Sequence, residues 1–374
     1  GVPMNFHPYT QAVGLEGNQQ VIAQGPVAAL EWIKNLGTNG GGYFNANGGH
    51  PFENPTPLTN LLEMLAIVAL PAALTNTLGR MIGSERHGWA LFAVMAFFFL
   101  AGLAACGIAE QAGNPAAIKQ AGIMTGGGNM EGKETRFGIG GSVLAAVATS
   151  NGATGSTNSA HDSYMPLGGM VPLVNMLLGE MVFGGLGTGI YSIVMVALAG
   201  LFIAGLMVGR SPEYLGKVLG PREMKLVTLY TIAMPAVVLV LSAIALMTQD
   251  GLAGLTTNDG PHGLTEIFFG YTSCFANNGQ TFGGLSANSP FYNITTAIAM
   301  MAGRFALAIP ALALAGILAG QRRRTASAGT LPTDTFLFAI LLTGTAVIVV
   351  GLSYLPALAL GPIIEQLRMI SGKN

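Results

Sequence analysis

The amino-acid sequence predicts an all-α membrane protein built from repeats of a short helix, a glycine- and asparagine-rich loop and a spanning helix. Two observations lead there: the composition, and a polar interruption that occurs three times. Charged residues are 9% of the 374 and apolar ones 51%, against about a quarter charged in soluble proteins. So few charges could not cover a soluble protein of this length. The formal net charge of −1 gives no basic face for nucleic acid and no polybasic tail for a membrane surface. Cys106 and Cys274 sit in apolar stretches and offer neither a disulfide framework nor a metal spacing.

A membrane helix needs roughly 20 mostly apolar residues. Six stretches qualify, near 58–81, 89–111, 169–209, 224–247, 292–320 and 334–357. The third could cross twice, but it carries "GGLGTGI" at 184–190, and each glycine inside a helix costs about 1 kcal/mol. Non-helical backbone at membrane depth persists only where protein buries it or where it lines a wet cavity. Arg210, Lys217, Arg222 and Lys225, the arginines of "QRRR" at 321–324, and Arg86 share one side if the spans alternate. That side reads as cytoplasmic. Lys133 and Arg136, in "EGKETR", are the exception on the outer side.

The interruptions are "GTNGGGYFNANGGHPF" from Gly37, "TSNGATGSTNSAHDSY" from Thr149 and "YTSCFANNGQTFGGLSANSPFYN" from Tyr271. Each holds a polar residue followed by Asn-Gly: Thr38-Asn39-Gly40, Ser150-Asn151-Gly152 and Asn277-Asn278-Gly279. An aromatic lies thirteen residues after each Asn, at Phe52, Tyr164 and Phe291. Asn47 with His50 and Asn158 with His161 add a shared Asn-x-x-His. A short apolar segment precedes each loop and a full span follows it. Asn-Gly alone marks a turn; matched spacing and flanks three times over point instead to re-entrant pore loops.

Such loops suit an ion pathway. A partly dehydrated cation needs oxygen ligands at close range, and uncharged backbone carbonyls favour monovalent cations, potassium above all. Glycine permits the backbone conformations and the close approach. The expected architecture is therefore pseudo-four-fold and potassium-channel-like, with three filter loops and six spans in this chain. The expected units are an outer polar segment (1–23), pore-loop repeats over 24–88, 89–222 and 223–320, and a basic loop with the last span and tail (321–374). The opening residues lack a starting Met and a signal peptide, and the first repeat here has no leading span. A fourth repeat is expected to be absent from this chain.

"LGTNGGGYFNANGGHPFENPTPLTN", "NMEGKETRFG", "HDSYMPLGGMVP", "GRSPEYLGK", "REMK", "ANNGQTFGGLSANSPFYN" and "LPALALGP" closely resemble the potassium-transporting (KdpA) component of the Kdp-type P-type ATPases, within the superfamily of potassium transporters. The resemblance covers nearly the whole chain. It implies a potassium-binding, channel-like component of a high-affinity uptake complex in a bacterial or archaeal plasma (inner) membrane. A catalytic P-type ATPase partner (KdpB) would hydrolyse ATP, and two small accessory partners (KdpC and KdpF) would complete the complex. By motif, the filter falls at Thr38, Asn39, Gly40, Gly41 and Gly42, at Ser150, Asn151, Gly152, Thr154 and Gly155, and at Asn277, Asn278, Gly279 and Gln280. In the middle loop the family's Cys-Gly is replaced. Either Gly152 or Gly155 could face the ion, and the fixed distance to His161-Asp162-Ser163 favours Gly155. The break, with Gly184, Gly185, Gly187 and Gly189, falls where the family has an intramembrane gate loop. Glu180, Arg210 and Arg304 match charges kept along the path. The alternative is a stand-alone channel or symporter of the same superfamily, which would need no ATPase partner.

Ionisable residues inside spans mark function more often than not, although Arg210 reads equally well as a cytoplasmic anchor. Glu63 is expected to snorkel to the outer interface. His50, His161 and Asp162 come without zinc spacing and are expected to brace the outer mouth, with Glu53 and Asp162 drawing cations by local potential. "GGNMEGK" spells G-x-x-x-x-G-K, but Glu134 follows where Ser or Thr is needed and no buried strand precedes it. No Asp-Lys-Thr-Gly occurs, so the chain carries no ATPase motif, no catalytic residues and no organic cofactor site of its own. Potassium is the expected ligand, and lipid the surrounding partner.

Overall fold

The computed structural model describes residues 2–114, 127–210, 212–280, 282–325 and 330–371. Much of the outer loop expected over 112–136 lies outside them. The described chain is mostly helical. Its helices are α1 (Val27–Leu36), α2 (Pro57–Ile82), α3 (Glu85–Ala112), α4 (Gly138–Asn151), α5 (Pro166–Leu177), α6 (Thr188–Val208), α7 (Pro221–Met247), α8 (Gln249–Leu252), α9 (Gly260–Phe275), α10 (Pro290–Gly320), α11 (Phe336–Leu358) and α12 (Ile364–Ser371). Two small antiparallel hairpins accompany them. Strand β1 (Thr10–Val13) pairs with β2 (Gln19–Ile22), so the opening polar segment is partly ordered as strands, and β3 (Glu213–Tyr214) pairs with β4 (Lys217–Val218).

Among the described residues six helices are long and apolar enough to cross a membrane: α2, α3, α6, α7, α10 and the run Phe336–Ser371. Their most apolar windows are only 17–44% buried within the protein. Residues such as Leu312, Leu352 and Met207 project outward, 72% or more exposed. This outward apolar surface is what a lipid-facing helix presents, and the protein is a multi-pass membrane protein. Local sequence sets the helix starts. Thr56 and Ser289 accept from the amides of Thr59 and Tyr292, each followed by proline at the first helical position, where its missing N–H costs nothing. Both caps stand where a loop turns into a span.

Two of the three short helices before the loops differ from the spans; α1 buries Val27, Glu31, Lys34 and Asn35 only. In α4 every residue from Ala145 to Asn151 is buried, and in α9 nearly all from Gly263 to Phe275. One core joins α3, α6, α7, α10 and α11 through Leu91, Ile193, Leu198, Val227, Leu314 and Leu342. A second wraps α9 with α5 and α7 through Met176, Val238, Phe269 and Phe275.

The third apolar stretch is broken earlier than expected. The interruption runs from 178 to 187 rather than 184 to 190, so Gly184, Gly185 and Gly187 lie in it while Gly189 is helical. The change of direction falls on Gly179, Glu180 and Phe183, all at positive φ. Gly189 is retained inside α6 for a different reason: a methyl group there would press on the backbone of Gly184. The last helix passes through a π-helical turn at Ala359–Ile363, built on Gly361 and Pro362, which redirects α12.

Candidate ion site at three converging loops

Each short helix ends in the same way. Gly37, Gly152 and Ala276 close α1, α4 and α9 in ordinary helical conformation. The next residue is left-handed in every case: Thr38 (φ 51°), Ala153 (46°) and Asn277 (55°). The amide after that reaches back to the helix: Asn39 to the Lys34 carbonyl at 2.9 Å, Thr154 to Thr149 at 2.9 Å, Asn278 to Ser273 at 3.2 Å. This is a Schellman-type ending with a side chain where glycine is usual, a strain of roughly 1–2 kcal/mol at each position. A glycine at positive φ follows: Gly40 (68°), Gly155 (81°) and Gly279 (63°).

The conformations fix the register of the three loops, and it differs from the Asn-Gly alignment in the middle one. Ser150 and Asn151 belong to the last turn of α4, where Ser150 Oγ donates to the Ala146 carbonyl at 2.6 Å and Asn151 Nδ2 to Val147 at 2.9 Å. Gly152 is the helix cap, not the loop glycine. Thr154-Gly155 occupies the position of Asn39-Gly40 and Asn278-Gly279. The Asn-Gly dipeptide misleads because in α4 it falls one turn early, on a helix end.

The loops touch one another in sequence order. A methyl group on Gly40 would overlap the Thr154 carbonyl, and one on Gly155 would overlap the carbonyl of Asn278. The Gly41 amide points at the Gly155 carbonyl at 3.4 Å, and Gln280 Nε2 donates to the Thr149 carbonyl at 2.6 Å. Farther out, the Gly48 amide donates to Thr157 at 2.8 Å and Asn47 Nδ2 to Thr157 Oγ1 at 2.9 Å. Gly279 breaks the series. Among the described residues nothing lies within 4 Å of where its side chain would project, so these loops leave that side open.

Below the third loop lies a cavity of about 230 Å³ bounded by Asn277, Gly303 and Arg304, by Gly179 and Glu180 of the break and by Thr188 at the start of α6. Asn277 Nδ2 donates to the carbonyls of Phe275 (3.0 Å) and Met300 (3.1 Å), fixing the loop on α10. Gly185 approaches Thr38 Oγ1, which sets the break under the first loop as well. Glu180 and Arg304 share the cavity, but no ion pair joins them among the described residues. Arg210 is not with them. It follows the Gly209 cap of α6 and is exposed, as a membrane-edge anchor would be.

Several outer residues depart from expectation. Glu63 is buried (6% exposed) rather than snorkelling, in a recess with Glu31 and Asn35. Glu53 is 1% exposed and accepts from the Tyr43 amide at 2.5 Å, so it braces the first loop. His50 stacks on Phe44 at 4.2 Å between ring centres. His161 is fully buried, and that burial, with Lys133 nearby, pushes its pKa down to about 4. Asp162 pairs with His262 Nε2 at 3.0 Å, and His262 Nδ1 pairs with Glu365 at 2.8 Å, with Glu266 beside them at 3.9 Å. This clasp joins the second loop, α9 and α12, and nothing in the sequence places those residues together.

Burial disfavours charge on His262, yet its two carboxylate partners hold its pKa up to about 10. A raised pKa gives stability that is complete below the free value of 6.5 and is lost as pH climbs through 10. The melting temperature should therefore fall between pH 7 and 10, and His262→Gln should start lower and lose that part of the slope. Parallel curves for the two proteins would show that the clasp contributes nothing.

The sequence model for the potassium-transporting ATPase A subunit (KdpA) matches residues 1–367. The chain belongs to this family. Its curated relatives include proteins named potassium-transporting ATPase potassium-binding subunit from Mesorhizobium japonicum, 54% identical over 374 residues, and from Brucella anthropi, 52% over 373. One from Granulibacter bethesdensis is 52% identical over 372. In each case all of this chain is covered but 65% of the relative, so the chain spans slightly under two thirds of their length.

Proposed function

We propose that the chain is the potassium-selecting part of an ATP-driven uptake system in a bacterial or archaeal inner membrane. The observation that carries this is the threefold recurrence of one strained loop geometry, with the three copies in direct contact. Backbone carbonyls drawn from Thr38–Gly42, Thr154–Gly155 and Asn277–Gln280, without that of Gly41, which Lys34 Nζ holds at 2.8 Å, are the ligand set for a dehydrated monovalent cation. The relatives' names, which specify potassium, support that choice. The open side at Gly279 is the place for a fourth loop, from the part of the longer relatives that this chain does not cover.

Ions leaving the loops would enter the cavity at Glu180 and Arg304, with the break at 178–187 as the gate beneath. The relatives' names, which make them subunits of an ATPase, support a separate catalytic partner, KdpB, for ATP hydrolysis, with KdpC and KdpF as accessory partners. The test is thermal unfolding of the full-length protein in detergent, titrated with potassium, rubidium or sodium chloride at constant ionic strength. Potassium is expected to stabilise at concentrations at least tenfold lower than sodium. Equal stabilisation by all three would remove the selectivity reading.

A further inference from the structure

The aligned loops expose a position that sequence matching does not: the residue three before each helix cap, at Lys34, Thr149 and Ser273. Each reaches forward to the residue after the loop glycine. Thr149 Oγ1 accepts from the Ser156 amide at 2.8 Å, and Ser273 Oγ accepts from the Gln280 amide at 2.8 Å. These are hydroxyl struts holding an N–H from behind. In a trans peptide the carbonyl points opposite to the N–H, so each strut turns the glycine carbonyl, Gly155 or Gly279, away from its own helix.

The first loop reverses the polarity. Lys34 has no acceptor to offer. Its Nζ donates instead to the Gly41 carbonyl at 2.8 Å and the Asn47 carbonyl at 2.9 Å. The ammonium is buried and balanced by Glu31 at 2.8 Å and Glu53 at 3.6 Å. Held by its carbonyl, Gly41 leaves its amide free to cross to the Gly155 carbonyl at 3.4 Å.

We propose that Lys34 is a positioning residue for the ion site: by gripping the Gly41 carbonyl from behind, it withdraws that oxygen from the pathway, ties the first loop to the second and sets the cation preference. The inference rests on the loops being an ion site. It makes that site unequal by construction. Two loops are held through an amide and one through a carbonyl, with a fixed positive charge behind the latter. Structural charge balance alone would give Lys34 no say in which cation binds.

The test uses the full-length protein and the same cation titrations, reading the ratio of sodium to potassium concentrations for half-maximal stabilisation. Lys34→Met should lower that ratio at least tenfold. The variant leaves Glu31 and Glu53 unpaired and could unfold, so Lys34→Met/Glu53→Gln, which removes one charge of each sign, is measured beside it and should show the same loss. Lys34→Arg, which still donates to a carbonyl, should restore the preference. An unchanged ratio in both Met variants, or no recovery with arginine, overturns the proposal. Gly155→Ala serves as the reference. If wild type shows no preference, or Gly155→Ala keeps it, the ion-site reading itself fails and takes this inference with it. If only the Lys34 variants behave as wild type, the site stands and Lys34 is structural.

Discussion

Gly40→Ala and Gly155→Ala in the full-length protein should each weaken potassium-dependent stabilisation by tenfold or more, a change of about 1.4 kcal/mol in binding. Both residues have positive φ, and in both the added methyl would overlap a backbone carbonyl of the next loop, that of Thr154 or Asn278. A side chain could rotate aside, but a carbonyl in a strained loop cannot move without shifting the proposed ligands. Gly41→Ala separates the two causes. Gly41 is also left-handed, at φ 84°, yet among the described residues nothing lies within 4 Å of its projected methyl, so Gly41→Ala adds strain of roughly 1–2 kcal/mol without overlap and should be milder. Gly279→Ala then reports on the open side. If a fourth loop closes the ring in the full-length protein, Gly279 faces its backbone and the substitution should match Gly155→Ala. An effect no larger than that of Gly41→Ala would mean the open side stays open and the fourfold reading is wrong. Binding by Gly155→Ala equal to wild type would dissociate the loops from the ion altogether.

The spans, the short buried helices and the loops after them are legible because lipid imposes length and polarity rules that leave a strong trace in sequence. The first and third loop registers are legible because Asn-Gly there coincides with the left-handed turn. In the second it does not. Ala153 and Thr154 hold the conformation with no residue that announces it, and only the fixed distance to His161 points to Gly155. The break begins several residues before its glycine-rich core because the turn is made at Gly179, Glu180 and Phe183, two of which no propensity would single out. Long-range partners are illegible in principle. His262 meets Glu365 across 103 residues, and no local pattern encodes that contact. Lys34 is visible as a lone cation in a short apolar helix, but its partners are carbonyls of a loop whose path the sequence does not specify.

The outer-side cations that break the charge asymmetry point to the second large effect. Lys133 Nζ lies 2.8 Å from Glu110, both side chains being inaccessible to solvent, and 3.9 Å over the Tyr164 ring. Glu110 also accepts from Asn129 Nδ2 and the Met165 amide, each at 2.8 Å. Arg136 is likewise committed, to the carbonyls of Gly49 and Asn54. Neither cation is a free loop charge. Lys133→Met should destabilise the protein by about 3–5 kcal/mol, because a carboxylate is left buried without its counter-ion. Lys133→Met/Glu110→Gln should recover most of that loss: the neutral amide oxygen still accepts from Met165, and no charge remains to be desolvated. The pair binds the end of α3 and the 127–137 loop to the segment that follows the second ion loop. The single variant should therefore also bind potassium more weakly, and the double variant should regain it. Thermal unfolding with and without potassium measures both quantities. If the double variant is as damaged as the single, shape at this junction matters rather than charge, and the second loop is held by packing alone.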